Sequence, residues 1–153
     1  MIKIIAFGYF KNNNLKPIFL EYEKRIKRYL KIELIEIKEI PIKKTQNINT
    51  ILLKEENILL DILKKENFVY LLSEHGKEFD SIKFKEKLYS HINNSQKVTF
   101  VLGSAHGFSK SMLKKYPKIS LSEMTFPHLL ARVMLIEQIY RAVTINQNIK
   151  YHK

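Results

Sequence analysis

The chain has 153 residues, 45% of them hydrophobic, a formal net charge of +12 and no cysteine. That length and apolar content suit one folded domain rather than a disordered segment, and the missing thiols exclude disulfides and thiolate zinc sites. No apolar run approaches the roughly 20 residues that a spanning helix needs, so a soluble cytoplasmic protein with no membrane partner is expected.

The first segment, Ile2 to Tyr9, is apolar and short, with no small-residue cleavage site behind it, and reads as a buried strand rather than a signal peptide. Asn12 to Asn14 reads as a polar turn. Pro17 is tolerated in a first helical turn, and Phe19, Tyr22, Ile26 and Leu30 follow at helical spacing. Ile32 to Ile40 alternates apolar and charged residues and stops at Pro41, as a strand does. Asn49 is a candidate cap for a helix reaching Glu66, with Leu52, Leu59, Ile62 and Leu63 on its apolar side. Phe68 to Leu72 reads as a buried strand, Ser73 to Lys77 as a loop, Ser81 to about His91 as a helix and Lys97 to Leu102 as another buried strand. Strands alternating with helices predict an α/β domain with a mostly parallel sheet flanked by helices. Ligands in such sheets bind beyond the carboxyl ends of the strands, where the loops after Leu72 and Leu102 lie.

Beyond Gly103 the pattern changes. Gly103 to Gly107 is a tight loop, Phe108 to about Tyr116 a short helix with Ser109 as a candidate cap, Ile119 to Leu121 a short strand, and Ser122 to Phe126 a second loop. Pro127 opens a final helix that runs to about Ile145 and is apolar on most sides. Such a helix either crosses a core or forms a subunit interface. A two-fold homodimer is the more economical reading for so short a chain. His128 and Arg132, spaced i, i+4, share a face near its start, and Glu137 and Arg141 form an ordinary helix ion pair on another. Residues 103–153 carry eight of the basic and two of the acidic side chains, so the basic excess is concentrated there. This concentration is better evidence for a nucleic-acid partner than the total charge, because the abundance of lysine, isoleucine and asparagine also fits an A/T-biased genome. The histidines at 75, 91, 106, 128 and 152 lack metal-pair spacing, so no metal is expected, and the Gly103 loop lacks the ending of a phosphate-binding P-loop.

Four runs in this region act together: Phe100-Val-Leu-Gly-Ser-Ala-His-Gly107, Ser120-Leu-Ser-Glu-Met-Thr-Phe-Pro-His128 with Arg132, Ile136-Glu-Gln-Ile-Tyr-Arg-Ala142, and the terminal Tyr151-His-Lys153. In combination they resemble the RlmH family, S-adenosyl-L-methionine-dependent methyltransferases of the SPOUT class that modify N3 of a pseudouridine in large-subunit (23S) ribosomal RNA. The resemblance is dense over 98–153 and looser before. It implies a single SPOUT domain over 1–153, a trefoil knot within about 98–153, a homodimer, and the ribosome as the RNA-bearing partner. It also implies a cofactor site at Leu72, Gly103 and the loop Leu121, Ser122, Glu123, Met124, Thr125 and Phe126. Leu72, Leu121, Met124 and Phe126 could form an adenine slot, with core packing as the alternative for each. Where the family usually has a second glycine this chain has Ser104, which would add strain if the position needs a positive φ. His128 is a candidate proton acceptor and Arg132 a candidate partner of the base or a phosphate. The alternative for His128 is helix-start packing, and for Arg132 a surface charge or an intersubunit bond. Tyr151, His152 and Lys153 could stack on a base and hold a phosphate, completing the RNA site of the other subunit, or they could fray as terminal residues do. The competing functions are an RNA-binding protein of the same fold without catalysis, and a methyltransferase acting on transfer RNA.

Overall fold

The computed structural model describes residues 1–11, 14–41 and 47–153. The chain runs β1 (Ile2–Phe7), α1 (Leu15–Ile26), β2 (Ile32–Ile37), α2 (Ile48–Leu63), β3 (Phe68–Glu78), α3 (Ser81–Ile92), β4 (Val98–Leu102), α4 (Lys110–Lys115), β5 (Lys118–Ser120) and α5 (His128–Asn146). All strand pairs are parallel, in the order β2-β1-β4-β3-β5. The expected α/β architecture is therefore present. Position in the sheet explains the sequence of each strand. The central β4, Val-Thr-Phe-Val-Leu, is buried at every residue, whereas the edge strand β2 is buried only at Ile32. A strand covered on both faces reads as continuously apolar, and an edge strand can alternate.

Helices cover both faces. Phe19 and Ile26 of α1, Phe84 and Leu88 of α3, and Ile136 and Ile139 of α5 pack on one side with Ile4, Tyr70 and Phe100. Leu59 and Leu63 of α2 and Met112 of α4 pack on the other with Ile5, Leu71 and Val101. No residue of α5 from His128 to Ile145 is exposed, and eight, including Leu135, Ile139 and Val143, are buried within the one chain. Much of the helix's all-round apolarity is thus satisfied by α1, α3 and the sheet, and Leu129, Leu130 and Met134 remain half-buried.

Several boundaries differ from the sequence reading. The cap of α2 is Asn47, whose side chain accepts from Asn49 N at 2.9 Å, and the helix ends at Leu63 rather than Glu66. Its buried stripe is Ile51, Glu55, Leu59 and Leu63, so Leu59 and Leu63 of the expected apolar side are buried, Leu52 and Ile62 are half-buried, and a carboxylate joins the stripe. β2 ends at Ile37, short of Ile40. The expected loop Ser73–Lys77 is an excursion inside β3: both Leu72 and Lys77 pair with Ile119, so the strand leaves β5 and rejoins it. Gly76 makes this possible, since a Cβ there would lie 2.5 Å from the Ile119 backbone. Ser109 caps α4 as expected, accepting from Met112 N at 3.2 Å. The expected Asn12–Asn14 turn falls largely outside the described residues.

Candidate functional site

A cleft of about 730 Å³ opens at the carboxyl end of the sheet, inside the range of about 300–1,000 Å³ typical of small-molecule sites. Three loops build it: the excursion after Leu72, the segment Leu102–Phe108 after β4, and Leu121–His128 between β5 and α5. Leu72, Leu102, Leu121, Phe126 and Ala131 give it apolar walls. Among the described residues no group of His, Cys, Asp and Glu could hold a metal ion, and no helix is long and apolar enough to cross a membrane.

The loop after β4 turns back sharply. Gly107 N donates to Ser104 O at 3.0 Å, the two residues form an antiparallel bridge, and Gly107 has φ +76°. A Cβ on Gly103 would lie 2.5 Å from Gly107 O, so the tightness of this turn requires glycine at 103. Ser104 is not among the positive-φ residues, and the strain considered for it does not arise. Its hydroxyl instead donates to Glu55 Oε2 at 2.8 Å and accepts from His106 N at 3.3 Å.

The second loop is held by its own serines. Ser120 Oγ donates to Ser122 O at 2.7 Å, Ser122 N donates back to Ser120 Oγ at 3.1 Å, and Met124 N donates to Ser122 Oγ at 3.0 Å. Thr125 Oγ1 donates to Glu74 Oε2 at 2.5 Å, tying this loop to the one after Leu72. Leu121, Ser122, Met124, Thr125 and Phe126 all line the cleft, but Met124 is 73% exposed and sits at the rim rather than inside an adenine slot. Glu123 is exposed and is not part of the lining.

His128 and Arg132 share a face of α5, as their spacing requires, yet occupy different environments. His128 lines the cleft with a third of its side chain exposed, and its Nε2 lies 4.0 Å from Glu39 Oε1. Arg132 is fully buried. Its Nη1 donates to Glu36 Oε1 at 3.0 Å, its Nη2 donates to the Phe7 and Gly8 carbonyls, and its guanidinium lies over the Phe10 ring. Burial pushes its pKa down, against the pull of Glu36. A phosphate or base could reach this guanidinium only after those bonds broke, so the direct contact read from the sequence gives way to a structural one. Arg132 locks α5 onto the carboxyl end of β1 and so fixes His128 one turn earlier.

The terminus is docked, not frayed, through Tyr151. After α5 the chain reverses at Asn148, φ +54°, with Asn148 N donating to Ile145 O and Ile149 N to Thr144 O, the bond pair of a Schellman motif. The Tyr151 hydroxyl donates to Glu137 Oε1 at 3.0 Å and lies 3.2 Å from Tyr22 Oη. Its ring meets Tyr140 edge-on and lies under Arg141. Burial, then the Tyr22 and Glu137 bonds, raise its pKa well above the ordinary phenol range. Glu137 and Arg141 form the expected ion pair and also anchor the tail. His152 and Lys153 are exposed. No residue of the tail lines the cleft.

Four acids not singled out in the sequence bear on the site: Glu74 lines the cleft, and Glu36, Glu39 and Glu55 lie against Arg132, His128 and Ser104. Glu55 left a trace, as a charge at i+4 from Ile51 and i−4 from Leu59. Glu36 and Glu39 were indistinguishable from the solvent-facing charges of an alternating strand.

A family model described as predicted SPOUT methyltransferase matches residues 1–152. The chain is 42% identical over 154 residues to the ribosomal RNA large subunit methyltransferase H of Caldicellulosiruptor bescii, covering 100% of both chains. It is 43% identical over 155 residues to the protein of the same name from Mycoplasmopsis synoviae, covering 99% of each. Among solved structures, a probable methylase family protein from Haemophilus influenzae superposes with TM-score 0.56 at 13% identity, covering 99% of this chain and 70% of that one, a likeness of fold. On sequence, fold and cleft together, the chain belongs to the SPOUT methyltransferase family and, within it, to RlmH.

Proposed function

We propose that this chain binds S-adenosyl-L-methionine in the three-loop cleft and methylates N3 of a pseudouridine in large-subunit ribosomal RNA on the assembled ribosome. The whole of 1–153 acts as one SPOUT domain, knotted in about 98–153, in a cytoplasmic homodimer. The observation that carries the reading is the cleft itself, at the excursion in β3 and the carboxyl ends of β4 and β5, with apolar walls and the imidazoles of His75, His106 and His128 in its lining. That donor set fits the cofactor. Leu72, Leu121 and Phe126 suit an adenine face, and the close turn at Gly103 lets the backbone approach its polar edge.

When bound, the cofactor supplies a sulfonium-borne methyl group. The protein must orient the acceptor base, remove its imide proton and keep water out. In this reading His128 takes that proton: it lies at the start of α5 and lines the cleft, within one helical turn of the buried Arg132. Arg132 serves as a positioning residue. Of the tail, Tyr151 is an anchor, and His152 and Lys153 are left to meet the RNA.

The tail's anchor also supports the homodimer. Glu137 and Arg141 lie nine and thirteen residues past His128, about 14–20 Å along the helix axis at 1.5 Å per residue. A tail tied there, with His152 Nδ1 3.4 Å from Arg141 Nη1, does not line its own cleft, so in this reading a site that uses both His128 and His152 draws them from two subunits.

Titration with S-adenosyl-L-methionine, followed by methyl transfer to ribosomes by wild-type and His128→Ala protein, tests the proposal. Binding with 1:1 stoichiometry per chain is expected, and transfer in the variant should fall about a hundredfold or more at unchanged cofactor affinity, the usual loss of a proton-transfer group. Absence of cofactor binding would favour an RNA-binding protein without catalysis. Unchanged turnover in the variant would remove His128 from the chemistry.

A further inference from the structure

α2 lies against the sheet along Ile51, Glu55, Leu59 and Leu63, one residue per turn. Three of these are ordinary core residues. The fourth is a carboxylate that is only 3% exposed. A buried carboxylate is unfavourable unless hydrogen bonds replace its water, and burial duly raises the Glu55 pKa. Its replacement for water comes from across the domain: Ser104 Oγ donates to Glu55 Oε2 at 2.8 Å. Ser104 lines the cleft, one residue after the close turn at Gly103. The next residue of the helix repeats the arrangement at the far end of the same segment. Glu56 accepts from Ser111 Oγ at 2.7 and 2.6 Å, and Ser111 lies at the start of α4. Two successive carboxylates of one helix thus grip both ends of the stretch 104–111, which includes the wall of the cleft formed by Ser104–Phe108.

We propose that Glu55 and Ser104 are a positioning pair that fixes the cofactor-facing loop in its binding geometry. The inference rests on the reading of the cleft as the cofactor site. The serine is what makes the pair possible: a glycine at 104 could form the same turn but would leave Glu55 buried without this bond. The accepted bond matters, not the charge. An amide oxygen at position 55 can take the same proton, and a methyl group cannot.

Two readouts on one set of variants test this: hydrogen exchange of the 104–107 amides in the ligand-free protein, and the Kd for S-adenosyl-L-methionine. Ser104→Ala and Glu55→Ala should each speed exchange of the loop and weaken the cofactor by about tenfold, the scale of one lost hydrogen bond to a charged group. Glu55→Gln should retain near wild-type values in both. The double alanine variant should be no worse than the worse single one. Ser104→Ala removes a loop hydroxyl that also accepts from His106 N, so it keeps the test alive if Glu55→Ala does not fold when exchange is read at 104, 105 and 107, away from that amide. Unchanged loop exchange in Ser104→Ala overturns the pair, as does Glu55→Gln behaving like Glu55→Ala. Faster exchange with an unchanged Kd overturns its role towards the cofactor. If wild-type protein binds no cofactor, the reading of the cleft fails, while exchange still reports on the pair.

Discussion

Arg132 offers the sharpest test of how the site is held. Replace it with methionine, which keeps much of the side-chain volume against Phe10 and removes the fork. The substitution leaves Glu36 without its cation, although the Phe10 amide still donates to its Oε1, and removes the guanidinium donor from the Phe7 and Gly8 carbonyls. Breaking a buried ion pair from one side costs about 3–5 kcal/mol. Glu36 keeps about a quarter of its side chain in water and is less penalised, so the lower end applies. At about 3 kcal/mol, and roughly 2–4 °C per kcal/mol for a chain of this size, Tm should fall by about 6–12 °C. Urea unfolding should show an earlier midpoint at an unchanged m-value, because the surface exposed on unfolding is nearly the same. Arg132→Lys should fall between, since an ammonium keeps the charge but cannot span a carboxylate and two carbonyls. A protein of unaltered stability that binds ribosomes less tightly, with a shallower salt dependence, would refute this reasoning. It would mean that the guanidinium leaves its buried position to meet phosphate.

Other sites make separate predictions. Gly103→Ala places a Cβ 2.5 Å from Gly107 O, so the loop must shift; the cofactor Kd should rise about tenfold or more by calorimetry, with a smaller loss of Tm. Glu55 has a raised pKa in the folded state, so its stabilising contribution is present below its unfolded value of about 4.3 and is lost as pH rises through the folded value. The Ser104 bond and then His106 oppose this rise, and Glu39 reinforces it. Glu55→Gln should therefore gain Tm relative to wild type as pH increases from about 4 towards neutrality; a constant difference across that range would contradict the burial argument. Deleting His152 and Lys153 should lower methyl transfer but leave cofactor binding and Tm intact, because Tyr151 carries the docking contacts. Tyr151→Ala should lower both transfer and Tm.

Local chemistry made the architecture legible in the sequence. Continuous apolar runs marked the covered strands β1 and β4, helical spacing marked α1, and Ser109 announced its own cap. Boundaries failed where tertiary pairing overrode local signals. Ser73 to Lys77 is rich in polar residues and contains a glycine, yet β3 resumes pairing with β5 at Lys77, opposite Ile119 far along the chain. The cleft was legible as loops because the carboxyl ends of parallel strands follow from element order. The acids that contact its supporting residues were not. Glu36, Glu39 and Glu55 look like solvent charges until the fold carries them to Arg132, His128 and Ser104. The same limit governed Arg132: helical periodicity put it beside His128, but only the packing of α5 on β1 shows that it points into the protein.

The central claim is methyl transfer to one nucleotide of the large-subunit RNA. The most direct measurement incubates the protein with methyl-labelled S-adenosyl-L-methionine and ribosomes lacking the modification, then maps the label on the RNA. The account predicts a single labelled pseudouridine, methylated at N3, in large-subunit RNA, with far less label on naked RNA and none on transfer RNA. Label confined to transfer RNA, or no label from protein that binds the cofactor, would contradict it.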